Sequence, residues 1–446
     1  MKVHFISIGG AVMHNLALAL LAKGYTITGS DDEIYEPAKS RLELKGILPK
    51  SLGWNENNIH VGLDAVILGM HAKKDNPELL KAITLGLKIY SFPEYMYEQT
   101  KEKLRIIVGG SHGKTTTTAM ILHVLNYFKI EFDYLVGSKL DGFDTMVGLS
   151  NQSKIAVFEG DEYLTSALDL RPKFHVYKGD IGIITGISWD HINVFPTYEI
   201  YLEQFKIFVE ALPKNGSIIY SADDSEVTKL IENSNIDSLK LPYLTPDFEI
   251  NNGVVHLKIK DLNIPLQFFG KHNLQNMMAA KYACEACGVD ELQFLEAIQT
   301  FKGTSNRLEK IFENENSLII RDFAHAPSKL KATVNAVKEL NPERKLIAIY
   351  ELHTYSSLNK SFLPQYKNSM KNADIKAVLY SKHALYMKKM PMLEIKDVEE
   401  GFGEGVKVFT NKNELEVFIK NNYSENENLL LMSSGTFDGM DLNFNK

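Results

Sequence analysis

Apolar positions along this chain fall into short runs of strand length and longer stretches with helical spacing, and the two patterns alternate from end to end. KVHFISI (2–8) reads as a strand entering Gly9 and Gly10, residues 11–22 carry a helical apolar period, and TITGSDD (26–32) is a second strand ending in acids. DAVILGM (64–70) and KIYSF (88–92) supply two more strands, and EYMYEQTKEKL (94–104) reads as a linker. RIIVGGSHGKTTTTAM (105–120) is then strand, glycine loop and helix in succession, followed by strands at 155–158 and 181–187. The last third alternates again, with strands in LIIRDFAHAP, KLIAIYELH, AVLYS, VKVF and LLLMSS and helices expected over 328–340, 362–371 and 412–422. The pattern predicts an α/β protein of doubly wound parallel sheets in three domains, 1–100, 101–302 and 303–446, with ligands bound beyond the carboxyl ends of the strands.

Composition narrows this picture. A chain of 446 residues is too long for one ordinary core and suits about three domains. A net charge of −7 argues against a broad nucleic-acid or membrane surface, so an anionic ligand must be held by local groups. No signal-peptide pattern opens the sequence and no apolar run reaches spanning length, so a cytoplasmic enzyme is expected. The two cysteines, Cys284 and Cys287, lie in an alanine-rich helical pattern without nearby histidines, which predicts buried reduced thiols rather than a zinc site.

The chemistry is concentrated at strand ends. In the glycine loop, Gly110, Ser111, His112, Gly113, Lys114, Thr115 and Thr116 are candidates for a polyphosphate cradle, with the helix N-terminus adding its positive dipole end and Lys114 reaching the terminal phosphates. Val108 stands where the strict Walker pattern has glycine, and Lys114 is expected to be exposed and cheap to remove. Glu159, Asp161 and Glu162 follow the next strand, as carboxylates that hold Mg2+ against a nucleotide commonly do. His191, in SWDH, is either a metal ligand or structural; Asn273 and Asn276 suit an adenine edge and ribose or serve as caps. In the first domain, Gly9 and Gly10 are candidates for a pyrophosphate, with Ser30 or Asp31 at the ribose. A dinucleotide fingerprint would have glycine at Ser7, Gly9 and Val12 and fails at two of the three, which disfavours a nicotinamide enzyme.

The order of GSHGKTTTT, EGDEY, the DH of WDH, HNLQN, the arginine before Leu308 and DFAHAP resembles the Mur ligases, ATP-dependent amide-forming enzymes of peptidoglycan synthesis, over essentially the full length. TGSDDEIYEP, DHINVFP and the closing MSSGTFDGM resemble most the murein peptide branch of that family. The resemblance implies a bacterial enzyme, monomeric or weakly dimeric, with ATP and Mg2+ as cofactors and UDP-N-acetylmuramic acid as acyl donor. The acceptor would be L-alanyl-γ-D-glutamyl-meso-diaminopimelate, as in recycling; the alternatives are L-alanine, as in biosynthesis, or a regulatory nucleotide-binding protein without chemistry. It further implies Thr115, Glu159 and His191 at the metal, Asn273 and Asn276 at the adenine, Arg307 at the phosphates, Asp322 at the ribose, and His325 among the catalytic groups with Lys114, Glu159 and His191. DFAHAP departs from the alanine-adding pattern at Phe323 and Ala326, and Lys206, spaced like a carbamylated lysine of some members, reads as an ordinary helical lysine. Where alanine-adding relatives place arginines in H-R-Y-S-R, this chain has His353-Thr354-Tyr355-Ser356-Ser357. Without that guanidinium fork, the neutral hydroxyls of Thr354, Ser356 and Ser357 suit a peptide carbonyl better than a free carboxylate, and His353, Tyr355 and Ser356 are the candidates for the acceptor site.

Overall fold

The computed structural model describes residues 1–70, 72–166, 168–191, 194–260 and 262–444. They form two compact units. One comprises Met1–Ile187, Tyr198–Leu244 and Ala279–Phe294; the other comprises Ser188–Thr197, Thr245–Met278 and the chain from Leu295 onward.

The first unit holds two sheets. Strands β1 (Lys2–Ile6), β2 (Thr26–Ser30), β3 (Ala65–Leu68) and β4 (Ile89–Ser91) pair in the order β2-β1-β3-β4, all parallel. Strands β5 (Leu104–Gly109), β6 (Phe132–Leu135), β7 (Val147–Gly148), β8 (Ile155–Glu159), β9 (Ile181–Ile184), β10 (Ser217–Ser221) and β11 (Leu239–Tyr243) pair as β11-β10-β9-β5-β8-β6-β7. Only the β6–β7 pair is antiparallel. The apolar run Ile106, Ile107, Val108 is fully buried because β5 lies in the middle of this sheet, covered on both faces. Its central place carries the glycine loop to the carboxyl edge, between the ends of β8 and β9.

The second unit holds a three-stranded antiparallel sheet, β12 (Phe248–Asn251), β13 (Val254–Ile259) and β14 (Leu262–Leu266). Beside it in sequence come β15 (Glu309–Glu313), β16 (Leu318–Asp322), β17 (Lys345–Leu352), β18 (Ile375–Tyr380), β19 (Val406–Phe409) and β20 (Glu427–Met432), ordered β15-β16-β20-β17-β18-β19. Apart from antiparallel β15 this sheet is parallel, and Ile347, Ile349, Leu429 and Leu431 form its buried centre.

Three expectations are corrected. The supposed linker is mostly the helix Phe92–Thr100: Ser91 and Glu94 form a reciprocal capping box and Tyr95 and Met96 are buried. The helix expected over 362–371 shrinks to a short 3-10 turn, Leu363–Tyr366, since Pro364 supplies no amide and Asn368 takes a φ of 62°. The apolar run 181–187 leaves the sheet at Ile184, where Gly186 turns the chain at a φ of 155°. The helices Ala11–Ala22 and Lys412–Asn422 form as the periodicity predicts. Cys284 is buried in the helix Lys271–Ala286 and Cys287 follows its end; both are free thiols, and burial pushes the Cys287 thiol up to about 12. No described helix is long and apolar enough to cross a membrane.

Candidate functional site

At the carboxyl end of β5 the chain turns through Gly110 (φ 130°) and Gly113 (φ 80°), backbone conformations that favour glycine, and enters the helix Lys114–Tyr127. The loop is braced from β9: Ser111 N–H donates to the Gly186 carbonyl at 2.9 Å, and the Thr185 hydroxyl donates to the His112 carbonyl. Ser111 Oγ and Tyr201 OH share a hydrogen bond of 2.8 Å. Thr116 is buried behind the loop.

Lys114 does not stand in solvent as expected. Its ammonium donates to the Gly110 carbonyl at 2.8 Å and to Glu162 Oε2 at 2.6 Å, with side-chain exposures of 15% for Lys114 and 1% for Glu162. Burial opposes the charge on Lys114, but Glu162 and Asp161 more than offset it and raise its pKa. Glu162 receives a further bond from Tyr201 OH at 3.3 Å, and Asp161 pairs with Lys173 at 2.6 Å. At the next residue of the loop helix, Thr115 Oγ1 donates to Glu159 Oε1 at 2.8 Å while Gly137 N–H donates to Oε2 at 2.7 Å. A hydroxyl and a carboxylate thus lie side by side at the mouth of the phosphate loop, two hard oxygen donors of the kind Mg2+ takes. Sequence reasoning missed Gly137, although it directly follows the apolar run Tyr134-Leu135-Val136.

In the first sheet the Gly9–Gly10 turn opens the helix Ala11–Ala22. Ser7 adopts a φ of 69°, so the turn keeps a left-handed backbone where the fingerprint has glycine. Gly9 N–H donates to Asp31 Oδ2 at 2.7 Å; burial, opposed by that bond and reinforced by Asp32, pushes the Asp31 carboxyl up to about 6. Ser30 is turned the other way: it is 1% exposed and its hydroxyl donates to Glu78 Oε1 at 2.7 Å. That oxygen also accepts from Asn55 N–H and Asn58, and His4 lies 3.2 Å from Oε2. Burial would raise the Glu78 carboxyl, but these bonds, led by His4, bring it below its ordinary value. The Ser30 hydroxyl therefore serves the interior, and Asp31 alone of the two faces the glycine turn.

The second unit gathers the remaining candidates. Asn273 and Asn276 are buried on the helix Lys271–Ala286, where Asn273 Nδ2 donates to the Phe269 carbonyl at 2.9 Å. Arg307 lies over the Phe323 ring, 4.6 Å from its centroid. Asp322 accepts from Leu308 N–H at 2.7 Å, Ala324 N–H at 2.7 Å and Thr333 Oγ1 at 3.2 Å, so both oxygens already fasten the entry into this sheet. His191 has a φ of 54°, and its amide donates to Asp190 Oδ1 at 2.8 Å. Asp190 Oδ2 lies 3.7 Å from His325 Nε2 and 3.9 Å from Lys329 Nζ. Burial works to raise Asp190, but His325 and Lys329 hold it well below the carboxylate range; burial and Lys329 lower the His325 imidazole. The His325 carbonyl accepts from both Tyr350 OH (2.7 Å) and Tyr366 OH (2.6 Å), a clamp with no local trace in the sequence.

At the end of β17, Tyr355 is exposed with Lys388 Nζ 4.6 Å above its ring, whereas Ser356 is buried. Thr354 Oγ1 donates to Ser357 Oγ at 3.0 Å, so those two hydroxyls close their own turn instead of facing a ligand. A Cβ at Gly435 would come within 2.6 Å of His353 Nδ1. Glu351, fully inside, accepts from the Ser433 hydroxyl, Phe437 N–H (2.7 Å) and Asp438 N–H (3.1 Å). Lys206 is half-buried on the helix Tyr198–Glu210.

Comparison with known proteins gives a consistent result. Residues 108–284 match the model of the Mur ligase middle domain, and residues 2–103 that of the Mur ligase family catalytic domain. The UDP-N-acetylmuramate–L-alanine ligase of Caldicellulosiruptor bescii is 32% identical over 388 residues, which cover 84% of this chain and 82% of that protein. Among solved structures, the UDP-N-acetylmuramate–alanine ligase of Thermotoga maritima matches with a TM-score of 0.70 at 23% identity, covering 98% of this chain and 97% of that one. The murein peptide ligase of Psychrobacter arcticus matches with a TM-score of 0.64 at 23% identity and the same coverage.

Proposed function

Since this chain belongs to the Mur ligase family, three-domain α/β enzymes that form amides at the expense of ATP, we propose that it joins an L-alanyl amine to the carboxylate of UDP-N-acetylmuramic acid. The domains would be residues 1–100 for the UDP-sugar, 101–302 for ATP and 303–446 for the acceptor. The observation that carries this reading is the phosphate loop itself, where Lys114 and the Thr115–Glu159 pair stand together at the end of the central strand.

A carboxylate is a poor acyl donor, so its oxygen attacks the γ-phosphate of ATP, the bond between that phosphorus and the β-phosphate oxygen breaks, ADP leaves and an acyl phosphate forms. The acceptor amine then attacks the acyl carbon, a tetrahedral intermediate collapses, phosphate leaves and the amide remains. Lys114 would exchange Glu162 for the γ-phosphate, and the loop amides of Gly110 to Thr115 would cradle the chain of phosphates. Mg2+ held by Thr115 and Glu159, with His191 as a further ligand, would neutralise charge on the transferring group. Asn273 and Asn276 would meet the adenine, with Arg307 and Asp322 at the phosphates and ribose. Gly9, Gly10 and Asp31 would hold the UDP moiety, and His325 would act among the catalytic groups. Lys206 fits an ordinary helical lysine.

Free L-alanine is the acceptor that the curated relatives' names support. A second reading, the tripeptide L-alanyl-γ-D-glutamyl-meso-diaminopimelate, is favoured by the stretch His353–Ser357. It lacks the arginine pair that would fork a free carboxylate, and its exposed group is Tyr355 with Lys388 above it. The test supplies ATP, Mg2+ and UDP-N-acetylmuramic acid with each acceptor in turn and measures phosphate release and product mass. Free L-alanine preferred gives the biosynthetic reaction. A kcat/KM for the tripeptide at least roughly 100-fold higher, on the order of an unmatched charged group, gives the recycling reaction. Phosphate release with neither acceptor would overturn both.

A further inference from the structure

The two glycine turns assigned to the two nucleotides are joined by a single piece of backbone. Between β6 and β7 runs the loop 136–146, closed at its base by Val136 N–H donating to the Met146 carbonyl at 3.0 Å. Phe143 packs edge-on against Tyr134, with centroids 4.9 Å apart, and Tyr134 OH donates to the Thr145 carbonyl at 3.2 Å, so the loop is stiffened from within.

One end of this loop touches the phosphate site. Gly137 N–H donates to Glu159 Oε2, and an added Cβ at Gly137 would lie 3.0 Å from Oε1, so a side chain there would press on the carboxylate. The other end touches the first helix. Met146 N–H donates to Asn15 Oδ1 at 3.0 Å, Arg41 Nη1 donates to the same oxygen at 3.2 Å, and Arg41 Nη2 donates to the Asp144 carbonyl. Asn15 is wholly buried, and its amide nitrogen donates to the Ala11 carbonyl at 2.6 Å, one turn from Gly10. Hydrogen bonds and short backbone steps thus connect Ala11, beside the Gly9–Gly10 turn, through Asn15 and Arg41 to the loop 136–146, and from Gly137 to Glu159 and Thr115.

We propose that Asn15 and Arg41 are positioning residues which hold the loop 136–146 so that the Gly137 amide orients the Glu159 carboxylate, and that through this loop UDP-sugar binding and Mg2+–nucleotide binding strengthen each other. The assignment of nucleotides to the two turns rests on the reading given above; the mechanical linkage does not. When Glu159 and Thr115 release one another for a metal ion, the Gly137 amide is the contact that keeps the carboxylate aimed. Fixing the loop from the first helix therefore lowers what must be ordered at the phosphate site, and the effect is reciprocal by thermodynamic necessity.

The experiment compares the parent with Arg41→Ala and Asn15→Ala, the first being a half-exposed residue whose loss leaves the core intact. Amide exchange in the ligand-free protein should quicken at Gly137 by about tenfold or more in both variants while Ile107, in the centre of the sheet, is unchanged. A general loosening would move both amides. Calorimetry then measures the Kd of UDP-N-acetylmuramic acid with and without Mg2+ and a non-hydrolysable ATP analogue. The parent should bind at least about fivefold more tightly with them, and both variants less than about twofold. Unchanged exchange at Gly137, a parent ratio of one, or equal ratios in parent and variants would overturn the proposal. A parent that does not bind UDP-N-acetylmuramic acid would overturn the functional reading instead, and Gly137 exchange would still decide the linkage.

Discussion

Lys114→Ala is the most informative single change in the phosphate loop, because its effect reaches stability as well as chemistry. The lysine is 15% exposed and its partner Glu162 1%, so truncation leaves a carboxylate inside the protein without the ammonium that it pairs with at 2.6 Å. Removing one member of a buried pair costs about 3–5 kcal/mol. For a domain of this size that corresponds to a fall in melting temperature of roughly 6–20 °C. The neutral pair Lys114→Met with Glu162→Gln should recover most of the loss, since exchanging a buried ion pair for uncharged groups of like volume is often close to neutral. Both proteins should lack ATP-dependent turnover, as neither has a cation for the γ-phosphate. The pH dependence follows in sign. In Lys114→Ala the folded-state pKa of Glu162 rises above its unfolded value of about 4.3, so the deficit is small below that pH and grows as pH rises through the folded value. Calorimetric melting of the parent, Lys114→Ala and the double variant at pH 5 and pH 8 gives the comparison. A Lys114→Ala protein that melts with the parent at both pH values would refute the buried-pair argument and return the lysine to solvent.

Two further outcomes are expected. The Asp31 carboxyl, raised to about 6 in the fold, contributes stability that is fully present below its unfolded value and lost as pH rises through about 6; Asp31→Asn, which keeps an acceptor for Gly9 N–H, should flatten the melting temperature between pH 4 and pH 7, and an unchanged slope would show that Asp31 is not the titrating group. Glu159→Gln should depress turnover and raise the Mg2+ concentration needed for half-maximal rate, more severely than His191→Ala, because the carboxylate gives full charge to a hard cation; a Mg2+ titration unmoved by His191→Ala would make that histidine structural.

The parts of the site that were legible in the sequence are those carried by local pattern. A buried apolar run followed by glycines and a helical period located the phosphate loop, and the run before Glu159 located the next strand end. The helix Phe92–Thr100 was also written locally, as Ser91 and Glu94 three residues apart, but the charged stretch after it masked the signal. What local pattern does not contain is where a polar side chain spends its hydrogen bonds. Ser30 finds Glu78 across 48 residues and Lys114 finds Glu162 across another 48, so a serine read as a ligand contact and a lysine read as solvated are both turned inward. The carboxylate of Asp322 is likewise shared among Leu308, Ala324 and Thr333, groups that only the folded entry turn brings together.

The order β15-β16-β20-β17-β18-β19 has a consequence for how the second unit is made. The strand furthest along the chain, β20, lies between two much earlier ones: Leu429 pairs with Ile319 on one side and with Ile347 on the other. Until β20 emerges from the ribosome, β16 and β17 have no shared neighbour, and each presents an open edge of unpaired amides and carbonyls with apolar side chains on both faces. The sheet therefore closes late, by insertion of its middle. The long-range pairing makes that step slow by its topology. During synthesis the stretch from β16 to β19 therefore needs shelter from its neighbours until β20 is made.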